Sequence, residues 1–145
     1  IDLTVKCVGD LMVDGHHTVE DTGIVIGKVL AEALGTKEGI KRYGTAYIPM
    51  DESLAFVSLD CSSRPFLVFD ACFDAYKVGE LETQLIVEFF RAFAYNAGIT
   101  LHAKVLYGAN DHHKIEALFK ALAHALKDAV QYTGSNAALS SKGVL

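Results

Sequence analysis

The sequence HHTVE at residues 16–20 returns as HHKIE at residues 112–116, and this repeated His-His-x-x-Glu motif indicates how the chain folds. Asp14 precedes the first copy and Asn110 the second, and apolar residues at helical spacing follow both. An acidic or amide residue before such a run is typical of a helix start. We therefore expect both motifs in the first turn of a helix, where residues i and i+4 lie on one face and can bind one ion together.

The second histidine of each motif predicts a site with two metal ions. It points about 100° further round the helix than the first, because an α-helix has about 3.6 residues per turn. Every ligand is used if each i, i+4 pair binds one ion and the second histidine binds the other. Imidazoles and carboxylates without thiolates favour manganese, iron or zinc over calcium or copper(I). The alternative, solvated capping residues, is weakened by the identical spacing of the copies. The predicted ligands are His16, His17, Glu20, His112, His113 and Glu116.

The repeat extends beyond the motifs. A shift of 96 positions superposes the motifs and also aligns residues 3–7 with residues 99–103, and both stretches alternate apolar and polar side chains as half-buried strands do. The repeated unit is therefore strand, turn, motif and helix. Because a predicted helix precedes the second copy, the symmetry predicts another helix before residue 1. We expect this sequence to lack an N-terminal segment.

The rest of the pattern predicts an α+β fold of antiparallel sheets with helices packed on one face. Strands are expected at residues 2–8, 45–48, 54–61, 66–73 and 99–107, and helices at residues 17–34, 81–97 and 113–130. Gly23 and Gly27 suit close packing of the first helix, and Gly35 is a typical helix stop. Residues 37–42 are expected to form a basic, mobile connection.

Composition excludes several classes of function. A net charge of -5 argues against a nucleic-acid groove, which needs clustered Lys and Arg. No apolar run approaches the roughly 20 residues of a membrane span. Cys7, Cys61 and Cys72 are an odd number without a CxxC pair, so we interpret them as reduced core residues of a cytoplasmic protein.

Further side chains could support the same site. Glu88, on the helix before the second motif, is a candidate extra ligand. Asp51 and Glu52 could orient a ligand, although a turn after Pro49 explains them better. Phosphate monoesters are bound by Arg, Lys, hydroxyl and backbone groups, but a surface charge is the simpler interpretation of any one of these residues. The candidates for phosphate are Arg42, Arg64 and the tail residues Ser140, Ser141 and Lys142.

Taken together, these stretches closely resemble imidazoleglycerol-phosphate dehydratase of histidine biosynthesis. The resemblance covers nearly the whole sequence in order and is carried by residues 9–24, 41–44, 49–52, 63–65, 88–91, 111–113, 119–121 and 140–143. Gly15 stands where that family often has Asp, and Ser141 where it often has Thr. Glu88 stands where some members have His, which is also a metal ligand.

The resemblance implies an internally duplicated fold of two four-stranded sheets, each backed by two helices. Residues 1–145 would form a single dehydratase domain, in which residues 1–50 are the end of the first repeat with its crossover and residues 51–145 are the second repeat with a phosphate-binding tail. It also implies trimers assembled into a 24-subunit homo-oligomer, with active sites between subunits. Each site would hold two Mn²⁺ ions, with Glu88 joining the six motif side chains as ligands.

The implied reaction removes water from imidazole glycerol phosphate and yields imidazole acetol phosphate. Metal ions on both ring nitrogens would let the substrate imidazole accept charge from the adjacent carbon. The residues expected to act in catalysis are Glu20, Glu116, His17 and His113, with Arg42, Arg64, Ser140, Ser141 and Lys142 on the phosphate. The family's upstream segment supplies a further histidine ligand and a glutamate for proton transfer. Two other classes remain open, a dinuclear metallohydrolase and a non-catalytic protein whose subunits are cross-linked by metal.

Overall fold

The computed structural model describes residues 2–134 and residue 139. Three helices and a four-stranded sheet dominate this part of the chain, and two very short strands form a separate hairpin. The elements are α1 (His16–Leu34), β1 (Tyr43–Met50), β2 (Ser53–Asp60), β3 (Phe66–Asp70), β4 (Lys77–Val78), β5 (Leu81–Glu82), α2 (Leu85–Ala97), β6 (Thr100–Tyr107) and α3 (Asp111–Ala129). None of the helices in the described ranges is long and apolar enough to cross a membrane.

The main sheet is mixed, with strand order β1-β2-β6-β3. Strands β1 and β2 are antiparallel, as are β2 and β6, whereas β3 runs parallel to β6. The expectation of a wholly antiparallel sheet is therefore wrong. Helix α2 lies between β3 and β6 in the sequence and carries the chain back across the sheet, and such a crossover joins parallel strands.

The hydrophobic core lies between one face of the sheet and the helices α2 and α3. Val57 and Leu101 point from the sheet towards Phe90 of α2 and Leu118 of α3, and all four side chains are buried. Alternate residues of β2 point inwards, as period-2 alternation requires. The predicted α+β architecture with helices on one face of the sheet is confirmed.

Helix α1 packs on α2, and two glycines allow the close approach. Gly23 and Gly27 are the buried residues of α1. A Cβ at Gly23 would lie 2.8 Å from the Phe89 carbonyl oxygen, and one at Gly27 would lie 2.7 Å from that of Phe93. This confirms the packing predicted for both glycines. Gly35 ends the helix with φ +50°, also as predicted.

The strand expected at residues 2–8 is wrong. Residues 2–10 are exposed and belong to none of the described strands. An alternating pattern forms a strand only when another strand offers hydrogen-bond partners, and none of the described strands pairs with this segment. Cys7 is consequently exposed. Cys72 is exposed too, because it continues the alternation in which residues 66, 68 and 70 point away from the core. Only Cys61 is the buried core cysteine that we expected.

Two further expectations need correction. The helix expected from residue 81 begins at Leu85, because residues 81–82 pair with residues 77–78 as a hairpin. The connection at residues 37–42, expected to be mobile, contributes Lys37 and Arg42 to the buried polar residues. The division of the chain near residue 50 into two repeats stays a prediction.

Candidate metal and substrate site

The second motif begins α3, as predicted. The Asn110 side chain accepts hydrogen bonds from the backbone N–H of His112 at 2.9 Å and of His113 at 3.3 Å. This is the ordinary role of an N-cap amide, which satisfies backbone donors that the first helical turn leaves free. Within the helix, His112 Nε2 lies 3.1 Å from Glu116 Oε2. The i, i+4 pair therefore converges on one point.

The first motif has the same geometry at the start of α1. Here Gly15 occupies the N-cap and has no side chain to offer, so Asp14 accepts the His16 backbone N–H at 2.8 Å. His16 Nε2 lies 3.4 Å from Glu20 Oε2. The two copies thus share both a capped start and a converging histidine and glutamate.

These distances fit a shared divalent ion. Ligand nitrogens and oxygens lie about 2.1 Å from such an ion, so two ligands at right angles around it are about 3 Å apart. The separations of 3.4 Å in the first pair and 3.1 Å in the second are close to this value. Imidazole with carboxylate is also a donor set suited to manganese, iron or zinc.

A carboxylate holds the second histidine of each motif. His17 Nδ1 lies 2.9 Å from Asp10 Oδ2, and His113 Nδ1 lies 2.7 Å from Glu52 Oε2. These hydrogen bonds raise the pKa of both imidazoles above the ordinary histidine value. An ionised carboxylate only accepts hydrogen bonds, so Nδ1 carries the proton and Nε2 offers its lone pair when the ring is neutral. Metal-binding histidines are commonly oriented in this way.

Glu52 fulfils both interpretations considered for it. It lies in the turn between β1 and β2, and its Oε1 accepts the backbone N–H groups of Ala109 at 3.0 Å and Asn110 at 2.7 Å. The Asn110 N–H and the His113 imidazole hold the pKa of the Glu52 carboxyl far below its usual range. Glu52 therefore stays ionised and ties the turn to the start of α3.

The motifs do not assemble into a complete metal site within the described part of the chain. In residues 2–134 and 139 no group of three or more His, Cys, Asp or Glu side chains is arranged to hold a metal ion. Glu88 forms an ion pair with Arg91 on the exposed side of α2. Each chain therefore presents two separate ligand pairs, and the role of Glu88 as a ligand stays a prediction.

The two predicted phosphate-binding arginines meet at Asp60. Arg42 donates to both carboxylate oxygens, from Nε at 2.7 Å and from Nη2 at 3.0 Å, and its Nη1 donates to the Leu139 carbonyl at 2.5 Å. Arg64 Nη2 lies 4.0 Å from Asp60, and the Arg64 side chain is 76% exposed. Ser140, Ser141 and Lys142 lie outside the described residues.

Sequence reasoning missed a buried ion pair beside the second motif. Lys114 Nζ donates to Asp111 Oδ1 at 2.8 Å, and Asp111 Oδ2 accepts the backbone N–H groups of Asp74 and Ala75. The pair joins the first turn of α3 to the segment after β3. Spacing i, i+3 hinted at a Lys–Asp contact, but nothing in the sequence indicated burial. Asp10 and Asp60 were also missed. Asp10 lies in the stretch 9–24 that carries the family resemblance, but nothing in the spacing indicated that it would hold His17, and Asp60 belongs to no recognisable motif.

Comparison with known proteins identifies the family. The family model of imidazoleglycerol-phosphate dehydratase matches residues 1–126. The chain belongs to this family. Imidazoleglycerol-phosphate dehydratase from Clostridium novyi is 59% identical over 146 residues, which cover 100% of this chain and 74% of the relative. The dehydratase from Clostridium acetobutylicum is 59% identical over 144 residues, covering 99% of this chain and 73% of the relative.

Solved structures agree. The crystal structure of the dehydratase from Staphylococcus aureus matches with a TM-score of 0.82 at 48% identity, covering 88% of this chain and 72% of that chain. The dehydratase from Pyrococcus furiosus matches with a TM-score of 0.79 at 38% identity, covering 90% and 71%. The resemblance found in the sequence is thus confirmed, and the chain is an enzyme of the imidazoleglycerol-phosphate dehydratase family, which acts in histidine biosynthesis.

Proposed function

We propose that the chain catalyses the Mn²⁺-dependent dehydration of D-erythro-imidazole glycerol phosphate to imidazole acetol phosphate. The observation that carries this proposal is the doubled ligand geometry. In both motifs an i, i+4 histidine and glutamate converge, and a carboxylate holds the Nδ1 of the second histidine. Two such half-sites on one chain suit a reaction in which an imidazole substrate is bound through both ring nitrogens. Family membership supports the same activity.

The residues proposed to hold the two Mn²⁺ ions are His16, His17, Glu20, Glu88, His112, His113 and Glu116. When bound, the ions supply Lewis acidity that lets the substrate ring accept charge from the carbon that loses its proton. This binding requires an unprotonated Nε2. The carboxylates of Asp10 and Glu52 accept hydrogen bonds from Nδ1–H of His17 and His113, which leaves Nε2 of each neutral ring free to bind a metal.

The motif glutamates are proposed to act as anionic contacts of the site. Lys120 Nζ lies 2.6 Å from Glu116 Oε1, and this hydrogen bond lowers the pKa of the Glu116 carboxyl. A carboxylate with a lowered pKa is a good ligand and a weak base. Glu116 is therefore suited to binding and orientation, and Glu20 is its counterpart in the first motif. His17 and His113 complete the proposed catalytic set.

Arg64 is proposed to bind the phosphate directly, since its guanidinium is exposed and donates in a planar fork. Arg42 gives two of its donors to Asp60 and has others left for a ligand. Ser140, Ser141 and Lys142 are proposed to complete this contact. Holding the phosphate fixes the position of the reacting carbon relative to the ligand pairs.

We also propose that the chain forms a homo-oligomer in which trimers assemble into a 24-mer and the active sites lie between subunits. Ligand pairs that stay separate within the described part of one chain support it. So do large apolar side chains that are exposed on and before α1, including Val8 at 90%, Met12 at 99% and Val25 at 58%. A cytoplasmic location is proposed as well, supported by three unpaired cysteines.

Metal content measured together with activity tests the proposal. We expect about two manganese ions per chain in the parent protein, and a parallel loss of manganese and dehydratase activity in His113→Ala. His124→Ala is the matched control, because His124 lies exposed on the same helix. A parent protein that binds no manganese, or a His113→Ala variant that keeps full metal content and activity, would refute the proposed site.

A further inference from the structure

Lys37 is a buried cation that the proposed reaction does not yet use. The residue is 5% exposed, and its Nζ donates to Ser63 Oγ at 3.0 Å and to the Gly98 carbonyl at 3.2 Å. Both acceptors are neutral, and no carboxylate of the described residues forms an ion pair with it. Burial lowers the pKa of the Lys37 ammonium group. Asp60 acts on Lys37 electrostatically without forming an ion pair with it. Burying a charge without a directly paired counter-charge reduces stability, so such a lysine calls for a functional explanation.

The backbone around Lys37 is also unusual. Lys37 has φ 60° and its partner Ser63 has φ 58°. Residues other than glycine rarely adopt this left-handed region, and strain of this kind is concentrated at functional sites. Two strained residues joined by one hydrogen bond therefore indicate a contact that the fold maintains at some loss of stability.

The hydrogen bonds of Lys37 fix the turn that carries Arg64. Ser63 precedes Arg64 in the connection between β2 and β3, and Thr100 Oγ1 donates to the Arg64 carbonyl at 2.8 Å from the other side. The Arg64 backbone is thus held while its side chain remains exposed. In the same turn, Ser62 Oγ is buried and has no hydrogen-bond partner among the described residues.

Charge balance gives Lys37 a second role. A phosphate monoester has a second pKa of about 6 and carries close to two negative charges at neutral pH. Asp60 neutralises Arg42 through their paired hydrogen bonds. Among the described residues of this cluster, Arg64 then leaves one net positive charge, and Lys37 raises it to two. Lys37 thus brings the described part of the cluster to the charge of a phosphate dianion, and Lys142, proposed above to contact the phosphate, would add to it.

We propose that Lys37 is a positioning residue of the phosphate site: it holds the turn of Ser62, Ser63 and Arg64 and adds positive charge that favours the binding of a phosphate dianion. This rests on the proposed function for the identity of the substrate, but not for the binding of phosphate itself. Bound phosphate keeps Lys37 in its charged form. Removal of Lys37 therefore weakens substrate binding and leaves the chemical step nearly unchanged.

The test compares Lys37→Met, which keeps the length of the side chain and removes the charge, with Lys37→Arg, which keeps the charge. Lys127→Met is the matched control, since Lys127 lies exposed in the last turn of α3. We measure the affinity for inorganic phosphate by calorimetry, KM and kcat for the dehydration, and thermal unfolding. In Lys37→Met we expect phosphate affinity to fall and KM to rise about tenfold, with kcat within about twofold. Lys37→Arg should recover most of the affinity.

A folded Lys37→Met protein with unchanged phosphate affinity and KM would overturn the inference. So would a Lys37→Arg variant that binds phosphate as weakly as Lys37→Met, since that result would mean a structural role only. If Lys37→Met does not fold, Ser63→Ala breaks the same link at an exposed position, and an unchanged phosphate affinity there rejects the inference. If the parent protein binds phosphate through Lys37 but has no dehydratase activity, the proposed function fails and the inference stands.

Discussion

The contact between α1 and α2 determines where the first motif lies relative to the second, and Gly27→Ala tests it. A Cβ at residue 27 would lie 2.7 Å from the Phe93 carbonyl oxygen, 2.9 Å from Asn96 Cβ and 3.0 Å from the Ala97 nitrogen. Two of these three atoms belong to the backbone of α2 and cannot rotate away. The helices must therefore separate by about 0.5 Å or more to restore ordinary contact, in an interior that is close-packed.

The expected loss of stability follows from two opposing terms. Overpacking a helix contact typically costs about 1–3 kcal/mol, and backbone contacts place this site at about 3 kcal/mol. Alanine favours the helix over glycine by about 1 kcal/mol. The net destabilisation is then about 2 kcal/mol, which lowers Tm by about 4–8 °C in a chain of this size.

Urea and thermal unfolding of the metal-free protein provide the assay, because bound metal would add its own stabilisation. Lys28→Ala is the control, since Lys28 is the exposed neighbour on the same helix and should change stability by less than about 0.5 kcal/mol. A Gly27→Ala protein as stable as the parent would show that α1 does not depend on this close contact. In that case the position of the first motif would need another explanation.

Two further predictions concern the site and the core. In Glu52→Gln, the amide oxygen still accepts the backbone N–H groups of Ala109 and Asn110, so the amide NH₂ faces His113 Nδ1. Nδ1 must then accept a hydrogen bond, and the proton of the neutral ring moves to Nε2, where it blocks metal binding. Manganese affinity measured by titration should therefore fall about 10–100-fold. An unchanged affinity would exclude Glu52 as the orienting group. Burial raises the pKa of the Cys61 thiol to about 11. Alkylation of the native protein at pH 8 should therefore label exposed Cys72 and spare Cys61. Labelling of Cys61 should increase as the pH rises towards 11. Equal labelling of both thiols at pH 8 would contradict the buried position of Cys61.

The motif-bearing helices were predictable because the features that define them are local. Asn110, Asp14 and the i, i+4 spacing lie within a few residues of each helix start, and Gly23 and Gly27 are one helical turn apart on one face. Each of these patterns reflects backbone geometry that does not depend on the rest of the chain. The predicted ligand pairs have the same property, so their convergence could be foreseen.

The errors all involve partners that are distant in sequence. Alternation at residues 2–8 suited a strand, but strand formation depends on a neighbour that no local pattern specifies. The direction of β3 depends on its pairing with β6, about 34 residues later by the register of Phe66 with Thr100. Residues 37–42 were expected to form a basic, mobile connection, and the approach of Ser63 and Gly98 to Lys37 is a long-range contact that no local pattern indicates.

The histidine-orienting carboxylates show that the two copies of the motif are unequal. Asp10 lies seven residues before His17 on the same segment, whereas Glu52 reaches His113 from a hairpin 61 residues away. Shifted by the 96 positions that superpose the motifs, Asp10 falls on Leu106, which has no carboxylate to offer. One half can therefore be altered by mutation while the other serves as an internal reference within the same molecule.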